Sequence, residues 1–331
     1  MTWGFTRSLA LVAIAMVCAV GTFSAPASAQ VGAWPNKPIR YIVPFPPGGS
    51  TDTLARLLQT DLSKALGVPI VIEHKPGAGG GVGSDHVAKS PADGYTILGG
   101  TISTHAINAS LYKNLPYDPV KDFVPLTQLV SMPNVLVVPE KFPVKDAREF
   151  LALAKTKKQP LACASAGNGT SQHLTCELFN ITAGSEITHV PFKGGGPGMT
   201  AVIAGDVQAM FDNAITAIPH VKGGRVRALA VSTGKRSSLL PDLPTLAEAG
   251  LPGFEVNAWQ GVFMAAGTPK DITDRVAKEI RSILAKPEIR DRILSAGTEP
   301  VGSSPEEFGA FVKNEVAKWA DVVKKSGAKV D

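Results

Sequence analysis

Short apolar runs rich in β-branched residues alternate with helical spacing along most of the chain, and this alternation restricts the fold more than any other feature. Candidate strands are Ile39–Pro44, Ile70–Glu73, Tyr95–Leu98, Asn134–Val138, Leu161–Ala164, Ile187–Pro191, Val207–Phe211, Val226–Val231 and Val256–Met264. After the first of them, Leu54, Leu57, Leu58, Leu62 and Leu66 recur at helical spacing, and Gly67 supplies a stop signal. Strand–helix alternation predicts an α/β architecture with mostly parallel sheets. Val124–Val138 is continuous and apolar, as strands crossing between two lobes would be. From Pro269 onward the pattern predicts helices and no strand. Ser304-Pro305-Glu306-Glu307 reads as a capped helix start, and Phe308, Phe311, Val312, Val316 and Trp319 form an apolar stripe behind it. This tail is expected to pack on the first lobe.

The N-terminus sets the compartment. Arg7 is the only charged side chain before Lys37, Leu9–Val20 is almost wholly apolar, and Ala27-Ser28-Ala29 is a small-x-small cleavage site. A basic start, a short apolar stretch and such a site make a secretory signal peptide, cleaved after Ala29 so that the mature chain begins at Gln30. The apolar run is shorter than the ~20 residues a membrane span needs. Cys18 has no convincing lipoprotein sequence before it. These features predict an exported protein.

The rest of the composition excludes several classes. A formal net charge of +5 is scattered rather than clustered, so neither nucleic acid nor a membrane surface is an expected partner. Hydrophobic residues make up 44% of 331, enough for substantial cores, and the length suggests about two domains. Only Cys163 and Cys176 survive processing. One lies on a strand and the other on the following helix, so they are the candidate pair for a single disulfide in an oxidising compartment. Neither cysteines nor histidines have metal-site spacing, and no cofactor is expected.

Two loops carry the ligand-binding signal. Phe45-Pro46-Pro47-Gly48-Gly49-Ser50-Thr51-Asp52 follows the first strand, at the sheet edge where α/β proteins bind ligands. Its glycines permit close approach, Ser50, Thr51 or Asp52 can cap the next helix, and the helix start favours an anion. The same residues would serve as an ordinary tight turn with a cap, and local sequence leaves both readings open. Ser165-Ala166-Gly167-Asn168-Gly169-Thr170-Ser171 repeats the logic before the helix opening at Gln172-His173-Leu174. Two such loops facing across a cleft would hold a carboxylate with neutral donors and no arginine. Asp212 ends a strand, where it either contacts ligand or caps the next helix, and His173 is read as bracing its loop.

Gly77-Ala78-Gly79-Gly80-Gly81-Val82-Gly83 fits neither the dinucleotide fingerprint nor a phosphate loop, and is read as a flexible border of the cleft. No Gly-x-Ser-x-Gly elbow is present, and Ser171 and His173 point in different directions on a helix, so no catalytic residues are assigned.

In the order and spacing of its motifs the sequence resembles the Bug family, the periplasmic solute receptors of tripartite tricarboxylate transporters. The motifs are Trp34-Pro35-Asn36-Lys37-Pro38-Ile39, Pro44-Phe45…Gly48-Gly49…Asp52, Pro76-Gly77-Ala78-Gly79-Gly80, Asp93-Gly94-Tyr95-Thr96, Gly167-Asn168-Gly169-Thr170, Leu243-Pro244-Thr245-Leu246-Ala247-Glu248, Trp259-Gln260-Gly261 and Gly267-Thr268-Pro269. The resemblance covers nearly all of the mature chain. It implies a type II periplasmic-binding-protein fold: two α/β lobes, a ligand cleft and a hinge, with lobe 1 at 30–132 plus 250–331 and lobe 2 at 133–249. It implies a small organic carboxylate as ligand and the membrane subunits of a tripartite transporter as partners. The ligand-contact role carries over to Gly48, Gly49, Ser50, Thr51 and Asp52, and to Ala166, Gly167, Gly169, Thr170, Ser171 and His173. Phe45, Ser103, Asp212 and Asn213 are expected in the cleft wall. A receptor reporting to a membrane sensor kinase would use the same fold, and a secreted hydrolase is the remaining alternative.

Overall fold

A computed structural model describes residues 34–156, 158–328 and 330. The signal-peptide reading of residues 1–29, Cys18 included, lies outside the described residues. The strand–helix alternation holds. β1 (Ile39–Val43) feeds α1 (Ser50–Leu66). β2 (Ile70–His74) feeds a 3-10 turn at Ala78–Gly80 and α2 (Gly81–Ala88). β3 (Thr96–Thr101) leads to a π-helical turn at Ser103–Ile107 and α3 (Asn108–Leu111). β4 (Phe123–Pro139) precedes α4 (Ala147–Thr156), β5 (Ala162–Ser165) precedes α5 (Ser171–Ala183), β6 (Thr188–Pro191) precedes α6 (Gly195–Ala204), and β7 (Ala209–Asn213) precedes α7 (Ala214–Lys222). β8 (Val226–Val231) and β9 (Asn257–Ala265) lead into α8 (Lys270–Leu284), α9 (Pro287–Ser295), β10 (Glu299–Pro300) and α10 (Pro305–Ser326).

β4 organises the two lobes. Its 17 residues reach roughly 55 Å at strand rise, long enough to serve two sheets. Phe123–Pro133 pairs antiparallel with β9, and the remainder pairs antiparallel with β7 and β8. The strand order runs β2-β1-β3-β9-β4 on one side and β4-β7-β5-β6 on the other. β1 is parallel to β2 and β3, and β5 is parallel to β6 and β7; the sheets are mixed rather than mostly parallel as expected, because the crossing strands β4 and β9 run antiparallel to their neighbours. Within each lobe the parallel strands therefore end on one edge, and the helix starts that follow them gather there.

The tail departs from expectation in one place. β10 pairs antiparallel with Val130 and Ser131 of β4, a two-residue strand that no periodicity reveals. The helices behave as read. Ser304 accepts from the Glu307 N–H while the Glu307 carboxylate accepts from the Ser304 N–H, closing the capping box. Phe308, Val312 and Trp319 are buried, and the Phe308 ring packs edge-on to Trp259 at 5.7 Å. Both indole N–H groups, of Trp259 and Trp319, donate to Glu315 Oε2 at 2.9 and 3.2 Å, which removes the penalty of burying them unpaired. β9 must be glycine at Gly261, because a Cβ there would collide with the Phe308 ring. α10 also reaches α5, so the tail touches the second lobe as well as the first.

Candidate functional site

A cavity of about 40 Å3 lies between the lobes, with helix starts around it. Gly49, Ser50 and Thr51 open α1; Thr170, Ser171 and Gln172 open α5; Gly195 opens α6; Asn213 precedes α7; and Ser103 opens the π-helical turn. First-turn N–H groups have no intrahelical partner and carry the positive end of the helix dipole. Several such ends aimed at one space favour an anion, with no lysine or arginine among the described residues of the wall. The volume holds a few waters, since each needs roughly 10–15 Å3. Phe45, Pro46 and Ala166 connect it to an outer cavity of about 660 Å3 bordered by Pro76–Gly80, Gly167, Tyr112 and Lys193.

The lobes are joined across this cavity by a directed chain of hydrogen bonds. Gln260 Nε2 on β9 donates to Ser50 Oγ at 2.6 Å, and Ser50 Oγ donates to Asn213 Oδ1 at 2.8 Å. Asn213 Nδ2 donates to Asn134 Oδ1, Asn134 Nδ2 to Thr175 Oγ1, and Thr175 Oγ1 to the Ser171 carbonyl, at 2.6, 2.7 and 2.7 Å. A second link runs from the Ser171 N–H to Ser103 Oγ at 3.1 Å.

Of the residues singled out from sequence, Phe45, Gly49, Ser50, Thr51, Ser103, Ala166, Thr170, Ser171, Asp212 and Asn213 line the inner cavity. Gly167 lines the outer one. Gly48, Asp52, Gly169 and His173 line neither. Asp52 is buried and turned back on its own loop: it accepts from the Gly48 N–H at 2.9 Å and Arg56 Nε at 3.0 Å, with His74 Nε2 at 2.8 Å. These contacts outweigh the burial penalty and hold its carboxyl below the usual range. Gly48, at φ +84°, makes the turn that allows the first of them. The α1 cap is Gly49, not a side chain.

Several main-chain donors assigned to ligand are likewise committed inside the second loop. Gly167 N–H donates to Ser165 Oγ, Gly169 N–H to His173 Nδ1, and Thr170 N–H to the Gly167 carbonyl. Asp212 does not cap a helix either. Its carboxylate accepts from Thr216 Oγ1 at 2.7 Å and Gln172 Nε2 at 3.4 Å, and burial pushes it up to about 6.

Sequence reasoning missed Thr101, Gln172, Gly195 and Gln260. Gly194-Gly195-Gly196 is a third glycine-rich strand–helix loop, so the reasoning applied to the other two would have found it.

Two further readings change. His173, Glu177 and His189 converge behind the second loop, with candidate ligand atoms within 4.8 Å of one another; only the i, i+4 spacing of His173 and Glu177 is visible in the sequence. The His173 and His189 rings stack at 4.0 Å, and burial lowers His173 to about 4 and His189, with help from His173, to about 3. The Gly169 N–H on His173 Nδ1 puts the neutral ring's proton on Nε2, the atom facing Glu177 at 3.8 Å. A cation on that nitrogen would displace the proton and loosen Gly169. The loop-bracing role read for His173 is the one its hydrogen bonds describe. Cys163 and Cys176 are both buried free thiols, and the candidate disulfide is not formed in this structure. They are neighbours, and Cys163 together with burial pushes the Cys176 thiol up.

Residues 54–328 match the tripartite tricarboxylate transporter family receptor. The chain belongs to that family. Receptors of this family are periplasmic solute-binding proteins, which places the protein in the periplasm. Its relatives include BugT of Bordetella pertussis, 36% identical, with 98% of this chain and 99% of BugT covered. Among solved structures, Rpa4515 of R. palustris with adipate superposes with a TM-score of 0.85 at 37% identity, over 89% of this chain and 98% of that one. MatC (Rpa3494) of Rhodopseudomonas palustris with bound malate gives 0.83 at 37%, over 87% and 99%. The two-lobed periplasmic-binding-protein architecture is common to them. Among the described residues no helix is long and apolar enough to cross a membrane.

Proposed function

We propose that this receptor captures a small carboxylate, of the class represented by adipate and malate in its relatives, and delivers it to the membrane subunits of a tripartite transporter. The observation that carries this reading is the convergence of helix starts from both lobes on one cavity whose wall holds no cation. The lobes divide near residues 132/133 and 249/250, with β4 and the segment before β9 crossing between them. The precursor is cleaved after Ala29. The protein acts by binding alone, and no observation favours a sensor kinase as its partner.

Phe45, Gly49, Ser50, Thr51, Ser103, Ala166, Thr170, Ser171 and Asn213 contact the ligand, with Gln172 and Gln260 added to them. The inner cavity is smaller than the ~300–1,000 Å3 of ordinary ligand pockets. A dicarboxylate therefore enters by parting the Ser50–Asn213 and Ser103–Ser171 links, which re-form as the lobes close with the wall widened around it.

A thermal-shift panel of small mono-, di- and tricarboxylates on the mature protein tests the reading, because a ligand of the native state raises its stability. At least one acid stabilises the protein and neutral sugars of similar size do not. No shift with any carboxylate would refute it.

A further inference from the structure

We propose that Asp212 takes up a proton when the receptor closes on an anion, and that its carboxyl then donates a hydrogen bond to the bound carboxylate. The inference rests on the receptor reading above and adds a proton to the species captured.

Asp212 is the penultimate residue of β7, is 2% exposed, and is the one charged side chain among the described residues lining the inner cavity. Left ionised, it would face the incoming anion with a like charge at low dielectric, where repulsion is severe. Its surroundings offer no counter-charge. Asp212 accepts from Thr216 Oγ1 on α7, from the Asn213 backbone N–H and from Gln172 Nε2 on α5, all neutral. α6 presents Gly195, which has no side chain, and β4 presents Asn134 and Val135. The titratable groups on the packed elements are His173, Cys176 and Glu177 on α5, Cys163 on β5, and His220 and Lys222 on α7. None of them is an ionic or hydrogen-bond partner of Asp212 among the described residues.

A second observation points the same way. Gln260 Oε1 lines the same cavity, is buried, and has no hydrogen-bond partner. The wall thus turns two acceptors toward a ligand that itself brings acceptors. A proton from solvent on Asp212 Oδ1, the oxygen that Thr216 does not bond and Gln172 reaches only at 3.4 Å, removes the charge and supplies a donor. Burial already pushes this carboxyl up to about 6, and an adjacent anion pushes it further in the same direction.

Calorimetry between pH 6 and 8, in buffers of differing ionisation enthalpy, reads the proton directly. The probe is adipate or malate, or the panel acid that binds. If only the protonated form closes, linkage predicts affinity about fifty-fold weaker at pH 8 than at pH 6, with uptake approaching one proton per ligand at the higher pH. Asp212→Asn abolishes the uptake and flattens the profile. A flat wild-type profile without uptake overturns the inference and leaves the receptor reading standing. So does the same uptake in Asp212→Asn, or affinity that rises with pH. Failure of every acid to bind removes the receptor reading instead. Carbon NMR of the Asp212 carboxyl in protein without added acid gives a test independent of the variant's folding: a midpoint near 6 is expected, and one near 4 refutes the proposal.

Discussion

Replacing Ser50 with alanine removes a hydroxyl that both accepts from Gln260 and donates to Asn213. β9 and α1 belong to one lobe and β7 to the other, so the Ser50–Asn213 bond exists only when the lobes meet. Each lost bond costs about 0.5–1.5 kcal/mol net, so the pair amounts to about 1–3 kcal/mol. That corresponds to roughly 5- to 150-fold in affinity, at tenfold per ~1.4 kcal/mol. The penalty falls on closure, because in an open molecule both stranded groups regain water. Ligand affinity should therefore drop by this factor in calorimetry while the melting temperature without ligand stays within a degree or two of wild type. Affinity within threefold of wild type would refute the reasoning. A large fall in melting temperature with affinity unchanged would show that the bond serves folding instead.

Gly261→Ala places a Cβ against the Phe308 ring and the Thr127 carbonyl, and overpacking of this kind costs about 1–3 kcal/mol; urea unfolding should show a lower midpoint with ligand contacts untouched. Acid stability follows from the buried histidines. His105, fully buried and stacked on Phe263, is lowered by burial to about 3, so the unfolded chain takes a proton that the fold refuses. Its contribution is complete above pH ~6.5 and is lost as pH falls toward 3; His173 and His189 have the same sign, while Asp212 opposes them by favouring the protonated fold below about 6. Denaturant titrations should show stability falling from pH 6.5 to 4, and His105→Gln should reduce that slope by about one proton. Thiol titration of unreduced, denatured mature protein should count two thiols from Cys163 and Cys176; a count of zero would establish the bridge that the structure lacks.

Much of the architecture was legible because local patterns and tertiary demands agree. Leu54, Leu58, Leu62 and Leu66 are all buried on one face of α1, and the continuous run before Val138 is one long strand because it is covered in both lobes. The site was legible only as far as local rules reach. Glycine and hydroxyl residues at a strand–helix junction mark a helix start, and two of the converging starts were found that way. Gln260 was hidden as one polar residue in a buried central strand, since its cavity forms only when β9 pairs with β3 and β4. Asp52 and Gly48 lie off the cavity, and sequence does not reveal it, because it shows a carboxylate beside free N–H groups and not that they satisfy each other. The His173–His189 stack depends on β6 pairing with β5, a contact with no local signature. β10 is too short to carry a period.

The central claim is that a ligand carboxylate is read by helix starts and neutral polar groups. Calorimetry on the tightest-binding acid and on the same molecule with that carboxylate converted to a primary amide measures it most directly. The amide has less negative charge and turns N–H donors toward first-turn N–H groups, so charge-assisted bonds of about 1.5–3 kcal/mol each are lost. Affinity at least tenfold weaker for the amide is the predicted result. Equal affinity for acid and amide would contradict the account.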